Sequence, residues 1–272
     1  MPERRSRSHG GGQEATAAVW AAVSGVTLGE AWLRRDEPKA PEMVAKYQLA
    51  VERLARGVPF AYAVGRAAFR TLDLAIDSRA LIPRPETEGL VDLVLAQAQG
   101  GVVADVGTGC GCIALALATE GRYERIIAVE GSPQAAALAR ENVALVRPRT
   151  PVEIREGNLL GPLGGLRFRA IVANPPYLTE DEYAALAPSV KEFEPREALV
   201  SGPDGLAASR ALLEGAAALL EPGGVLALEI DERRGDTVHA LAQAHGWTRI
   251  EIRDDIFGRP RYALARTALE DE

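Results

Sequence analysis

VVADVGTGCGC, residues 102–112, is the stretch that decides the fold. An apolar run of strand length passes without a spacer into Gly107, Gly109 and Gly111, and a helix-like text starts at Cys112. Strand, glycine turn and helix in that order open a doubly wound sheet at the edge where such sheets bind their ligands. Outward from it, strands are predicted at 126–129, 152–154 and 170–173, alternating with helices from Cys112 and Pro133. A helix at 206–220 precedes Gly223 and Gly224 and a strand at 225–230. A helix at 236–245 and strands at 248–252 and 261–265 close the pattern. Such alternation predicts an α/β fold, a mostly parallel sheet covered on both faces.

Upstream, residues 13–67 carry helix-like spacing, as in Met43, Tyr47, Ala50, Val51 and Leu54, and are expected to form a small helical domain. The alternation of Leu72, Leu74 and Ile76 predicts a β-hairpin linker over 68–80, and the second domain covers 81–272. Residues 1–12, with Arg4, Arg5, Arg7 and the glycines Gly10, Gly11 and Gly12, read as a flexible tail. No apolar run follows those arginines and no window reaches the length of a membrane span, so neither a secretory leader nor a membrane anchor is expected. The 272 residues suffice for one sizeable domain and a small accessory one.

A formal net charge of −7 argues against a protein that wraps nucleic acid, which calls for a basic surface. The two cysteines, Cys110 and Cys112, sit in the glycine loop with a spacing that suits neither a local disulfide nor a zinc site. They read as small residues of a packed turn, and a reducing, cytoplasmic setting follows. His9, His239 and His245 fall in the tail or on a predicted surface helix, so neither a hydrolytic triad nor a histidine metal site is expected.

Two ligand classes compete for the glycine loop. It lacks the third glycine of a dinucleotide fingerprint and the lysine of a phosphate-binding loop. Asp105, just before the first glycine, suits the ammonium of a methionine moiety better than a pyrophosphate. Glu130 ends the next strand, where a carboxylate accepts hydrogen bonds from both hydroxyls of a ribose. The expected cofactor is therefore S-adenosylmethionine, held by Asp105, Gly107, Thr108, Gly109, Cys110, Gly111 and Glu130.

Asn174, Pro175, Pro176 and Tyr177 follow the strand at 170–173, again at the carboxyl edge of the sheet. Two consecutive prolines fix the turn and present Asn174 with little entropy left to lose. An amide nitrogen is a poor nucleophile with two hydrogens, and each hydrogen needs an acceptor. The side-chain oxygen of Asn174 and the carbonyl of Pro175 supply one each and aim the lone pair at the methyl group. Tyr177 can stack on the planar group. Asn174, Pro175 and Tyr177 are thus the candidate catalytic residues, with Pro176 completing the substrate-binding turn.

With these residues in view, the chain resembles the release factor glutamine N5-methyltransferases, the HemK/PrmC family, over roughly 57–262. Beyond the glycine loop and the Asn-Pro-Pro-Tyr turn, the resemblance rests on Pro59, Tyr62, Gly65 and Phe69, and on the run from Leu81 through Ile82, Pro83, Arg84, Pro85, Glu86 and Thr87 to Glu88. Downstream it includes Phe193, Glu194, Pro195, Arg196, Ala198 and Leu199, then Gly202, Asp204, Gly205 and Leu206, and finally Arg253, Asp254, Gly258 and Arg261.

The resemblance implies a seven-stranded Rossmann-like class I methyltransferase domain with a helical domain that docks the protein substrate. It implies methyl transfer from S-adenosylmethionine to the glutamine of the GGQ motif in release factors, by a cytoplasmic monomer without a direct nucleic-acid partner. Carried over by position, it also implies that Asn174 contacts the cofactor, that Asn158 and Leu159 lie beside the adenine and that Arg84 lies near the methionine end. Glu194 and Arg196 are expected to brace the rim through an ion pair. The chain departs from the family pattern at Glu130, where aspartate is usual, at Leu159, where an aromatic is frequent, and at Asp231 and Arg234, which replace Gly and Gln. The helical region before Arg56 is also shorter than usual. The alternatives are a glutamine methyltransferase of a ribosomal protein, whose relatives tend to carry Arg-Ser-Pro at Arg84, Pro85 and Glu86, and a nucleic-acid adenine N6-methyltransferase, which shares only the Asn-Pro-Pro-Tyr element.

Overall fold

The computed structural model describes residues 10–269, with side chains from Thr16 onward. Residues 1–9 of the expected tail, His9 among them, lie outside the described residues. The chain divides into two compact units, Met1–Arg66 and Ala67–Glu272. The first holds α1 (Gly10–Ser24), α2 (Leu28–Leu33), α3 (Pro41–Ala55) and α4 (Phe60–Val64). The backbone of Gly10, Gly11 and Gly12, which the sequence places in the tail, is already helical.

Local signals explain these boundaries. Thr27 and Glu30 cap α2 reciprocally, each side chain taking the other's backbone N–H. Pro41 occupies the first turn of α3, where its missing N–H costs nothing, and Gly65 ends α4 at φ +74°. The helices bury Val19, Ala21, Ala31, Ala50 and Tyr62 against one another.

The second unit opens with a hairpin of β1 (Arg66–Phe69) and β2 (Leu72–Ala75), followed by α5 (Pro85–Gln97). Then come β3 (Val102–Val106), α6 (Cys112–Glu120), β4 (Arg125–Glu130), α7 (Pro133–Val146), β5 (Val152–Glu156) and β6 (Phe168–Ala173). Two short helices, α8 (Glu180–Ala184) and α9 (Pro188–Phe193), precede α10 (Ala207–Gly215), β7 (Leu220–Glu229), α11 (Gly235–Ala244), β8 (Arg249–Asp254) and β9 (Pro260–Arg266). Among the described residues the main sheet has seven strands in the order β5-β4-β3-β6-β7-β9-β8. β3 to β7 run parallel and β9 is antiparallel to both its neighbours.

The inner strands are buried on both faces, which is why they read as unbroken apolar runs. Alternate residues Ala104, Val106, Ile127, Val129, Ile171, Ala173, Leu226 and Leu228 join Leu212 of α10, Val238 of α11 and Trp247 in one core cluster. α5, α6 and α7 pack on the strands as well, and α6 is buried from Ile113 to Ala118. No described helix is long and apolar enough to cross a membrane.

Two expectations shift. α10 gives way to a 3₁₀ turn at Ala216–Ala218, and β7 starts at Leu220, ahead of the glycine pair. Phe168 pairs with Leu220 while Ala170 already pairs with Val225, so Glu221, Pro222, Gly223 and Gly224 are taken up in an irregular bulge. Pro222, with no N–H for the ladder, belongs in such a place.

Candidate active site

Strand register alone brings the key residues together. Val106 of β3 pairs with Val129 of β4 and with Ala173 of β6, and Ala173 pairs with Leu228 of β7. The next residue on each strand is Gly107, Glu130, Asn174 or Glu229, so these four line up along the carboxyl edge. The edge is also the switch point, because the chain leaves β3 toward β4 and later returns to β6 on the other side. A cleft opens there, lined by residues from the proline-rich run, the glycine loop and the double-proline turn.

Of the sequence-predicted residues, Gly107, Thr108, Gly109, Cys110, Glu130, Asn174 and Pro176 line the cleft, joined by Arg84, Thr87 and Glu197. Asp105, Gly111, Asn158, Leu159, Pro175 and Tyr177 stand outside its lining. Asn158 is exposed just past β5, and Leu159, at φ +46°, packs against the core of the sheet. Their loop is tied to the cleft by the Gly157 N–H, which donates to the Glu130 carbonyl at 2.9 Å. Contact with Cys110 and burial push the Cys112 thiol well above the ordinary range, which keeps it protonated.

The glycine loop is held by carboxylates at both ends. Glu130 accepts from the Gly109 N–H at 2.8 Å through Oε2 and from the Ser132 N–H at 2.9 Å through Oε1. Each oxygen keeps lone-pair capacity for a further donor. Asp105 is fully buried; its Oδ2 accepts from the Thr108 hydroxyl at 2.5 Å and the Ala114 N–H at 3.0 Å. Burial pushes its carboxyl up to about 7, and its Oδ1 has no partner among the described residues. Gly107 and Gly109 have φ of +74° and +58°, and a Cβ on Gly107 would meet nothing within 4 Å. At cleft-lining positions such open space lets a ligand approach the backbone.

These features fit S-adenosylmethionine. Glu130 suits ribose hydroxyls, the glycines leave room for the chain of the ligand, and the orphaned Asp105 oxygen suits a cation. Replacing Glu130 by Ala is expected to weaken cofactor binding roughly tenfold, the worth of one charge-assisted hydrogen bond. An unchanged dissociation constant in calorimetry would exclude the ribose role.

One supporting residue escapes motif reading. Asn142 of α7 is fully buried; its Oδ1 accepts from the Ala75 N–H at 2.8 Å, and its Nδ2 donates to the carbonyls of Ala75 and Cys110, both at 2.9 Å. It thereby pins the glycine loop to the hairpin. Asn142→Ala should cost about 2 kcal/mol of stability by stranding these backbone groups, and an unaltered urea midpoint would refute the clamp.

On the acceptor side, Asn174 donates through Nδ2 to Thr87 Oγ1 at 3.0 Å, and the Thr87 hydroxyl donates to Glu229 Oε2 at 2.7 Å. Among the described residues none donates to the Asn174 Oδ1. The loop after it is strapped down, with the N–H groups of Tyr177 and Leu178 donating to the Leu199 carbonyl at 3.2 and 2.9 Å. Burial pushes the Tyr177 phenol up to about 12, so the half-buried ring stays neutral.

The expected Glu194–Arg196 ion pair is corrected. Buried Glu194 pairs with Arg84 at 2.6 Å and also accepts from the Ile82 N–H at 3.3 Å, whereas Arg196 pairs with Glu180. The proline-rich run and α9 bring Arg84 and Glu194 together, and α8 supplies the partner of Arg196. Asp231 and Arg234 also form a brace: Arg234 donates to Glu182 of α8 at 2.8 Å and to the Asp204 carbonyl at 3.1 Å, while Asp231 accepts from Arg233.

Comparison with known proteins agrees with this geometry. Residues 86–191 match the family model for the methyltransferase small domain. A release factor glutamine methyltransferase of Moorella thermoacetica is 42% identical over 236 residues, covering 85% of this chain and 83% of that one. The corresponding enzyme of Deinococcus radiodurans is 41% identical, covering 87% and 84%. A crystal structure of a methyltransferase from Pyrococcus furiosus superposes with a TM-score of 0.56 at 18% identity, covering 80% of this chain and 98% of that one, and so shares the fold. Identity at this level over more than four-fifths of both chains is the ground on which the chain belongs to the release factor glutamine methyltransferase family.

Proposed function

We propose that this protein transfers the methyl group of S-adenosylmethionine to the side-chain amide nitrogen of the glutamine in the GGQ motif of class I release factors. The observation that carries the reading is the polarity of Asn174: its Nδ2 donates to Thr87 and the side chain also hydrogen-bonds the Glu229 carboxyl, which turns Oδ1 to the cleft as an acceptor. A substrate amide presents two N–H donors, and such an acceptor suits it.

The bound cofactor supplies an electrophilic methyl on a sulfonium. Glu130 and the backbone of Gly107 and Gly109 would hold its nucleoside, and Asp105 would draw its positive end. Asn174 Oδ1 and the Pro175 carbonyl accept the two amide hydrogens, which lines the nitrogen lone pair with the methyl and favours a pyramidal nitrogen. The neutral Tyr177 ring gives the planar amide a face to rest on. Once the C–N bond forms and the methyl C–S bond breaks to leave a neutral thioether, the nitrogen carries a surplus proton that is strongly acidic and passes to water, so no dedicated base is needed. The first helical unit serves to dock the protein substrate.

The test is to incubate the protein with labelled S-adenosylmethionine and either a class I release factor or total nucleic acid, then locate the added methyl by mass spectrometry. Label on the GGQ glutamine is the expected result. Label confined to nucleic acid, or to a ribosomal protein offered in parallel, would overturn the assignment.

A further inference from the structure

The contacts behind Asn174 form a chain with a direction. A threonine hydroxyl has one proton and two lone pairs. The Thr87 proton goes to Glu229 Oε2 at 2.7 Å, and the oxygen of that hydroxyl faces Asn174 at 3.0 Å. With its proton spent, Thr87 offers Asn174 only a lone pair, so the amide must turn its NH₂ end inward and its oxygen toward the acceptor side. Thr87 and Glu229 are 2% and 1% exposed, so water does not compete for these bonds. The two come from distant parts of the chain, the first turn of α5 and the last residue of β7.

We infer that Thr87 and Glu229 are positioning residues that set the amide orientation of Asn174, with ionised Glu229 as the group that fixes the direction of the whole hydrogen-bond chain. This rests on the functional reading above and deepens it. With Glu229 protonated, its OH can donate to Thr87, Thr87 can donate to Asn174, and the amide can flip to present NH₂ to a substrate that also offers NH₂. Donor then meets donor, and the acceptor that orients the nucleophile is lost.

The surroundings make this reversal reachable. Burial pushes the Glu229 carboxyl up to about 7. Around it stand Asn174, whose side chain hydrogen-bonds the carboxyl directly as well as through Thr87, Arg261 and Tyr262 of β9, Glu86 of α5 and Tyr177 of the acceptor turn, with Asp231 and Asp255 further out. Arg261 favours the charged form and Glu86 opposes it. The two phenols are pushed up to about 12 and do not titrate in the working range. Turnover therefore requires the ionised carboxyl and should rise with pH through about 7.

The test compares the full-length wild type, Thr87→Val, Thr87→Ser and Glu229→Gln, using tritiated S-adenosylmethionine and a class I release factor. Thr87→Val keeps the shape but loses the hydroxyl; kcat is expected to fall roughly 20-fold with the cofactor dissociation constant within twofold of wild type. Thr87→Ser should restore most of the rate. Glu229→Gln should abolish the rise in kcat through neutral pH. Full turnover in Thr87→Val, or an unchanged pH profile in Glu229→Gln, overturns the positioning role. Should Glu229→Gln not fold, the contrast of valine with serine at position 87 still decides. A wild type inactive on the release factor would instead overturn the functional reading itself, so the two failures are distinguishable.

Discussion

Asn174→Ala is expected to lower kcat on the order of 10³-fold while leaving the cofactor dissociation constant within a few-fold of wild type. The reason lies in what the side chain does at each stage. In the proposed function its oxygen meets the substrate amide, and the demand on that contact grows as the nitrogen pyramidalises and its hydrogens become acidic. A preorganised group whose interaction strengthens toward the transition state is worth about 3–4 kcal/mol in comparable sites. The proposed function assigns the nucleoside, by contrast, to Glu130 and the glycine loop, which lie on β4 and after β3. Asn174→Asp is a sharper probe: it keeps the acceptor but loses the donor to Thr87 and brings a second carboxylate close to Glu229. Single-turnover kinetics separate the chemical step from binding. Wild-type rates in the alanine variant would show that the double-proline turn orients something other than the reacting nitrogen.

The sheet was legible because parallel strands buried on both faces announce themselves as apolar runs, and because the helices between them carry ordinary start signals such as Pro133 behind the cap Ser132. Register was not legible, yet it does most of the work: the pairing of Val106, Val129, Ala173 and Leu228 is what sets Gly107, Glu130, Asn174 and Glu229 side by side. Glu229 fell unremarked inside the strand predicted at 225–230, and Thr87 read only as one letter of a proline-rich run. Neither carries a local pattern, since a buried threonine and a buried glutamate acquire meaning from a contact between residues 142 positions apart. The same holds for Asn142, which resembles any polar residue of a helix until the hairpin is folded against it. The ion pairs failed for a related reason. Glu194 and Arg196 are neighbours in sequence, but the extended backbone at Glu194 and the 3₁₀ turn that follows send the two side chains to different partners.

Asp105→Asn should produce opposite effects on stability and binding. In the wild type a fully buried carboxyl keeps one oxygen unpartnered, and burial raises its ionisation to about 7. A carboxyl raised in the folded state binds more protons there than in the unfolded chain over the window from about 4 to 7, so stability falls as pH rises through that window. Above neutrality the accumulated cost is on the order of 4 kcal/mol. An asparagine does not ionise, and its oxygen can still accept from Thr108 and Ala114. The variant should therefore unfold at a higher denaturant concentration than wild type at pH 8, with the difference vanishing near pH 4. Cofactor affinity should move the other way, dropping by roughly 10²-fold at pH 8, because the charge that draws the cationic end of S-adenosylmethionine is gone. The wild-type affinity should also tighten as pH rises through about 7, a dependence absent from the variant. Denaturation and calorimetry at pH 5 and pH 8 measure both halves. A variant that gains stability yet binds the cofactor as well as wild type would reduce Asp105 to a brace for the glycine loop; one that gains no stability would mean that the carboxyl is solvated in a way its burial does not suggest.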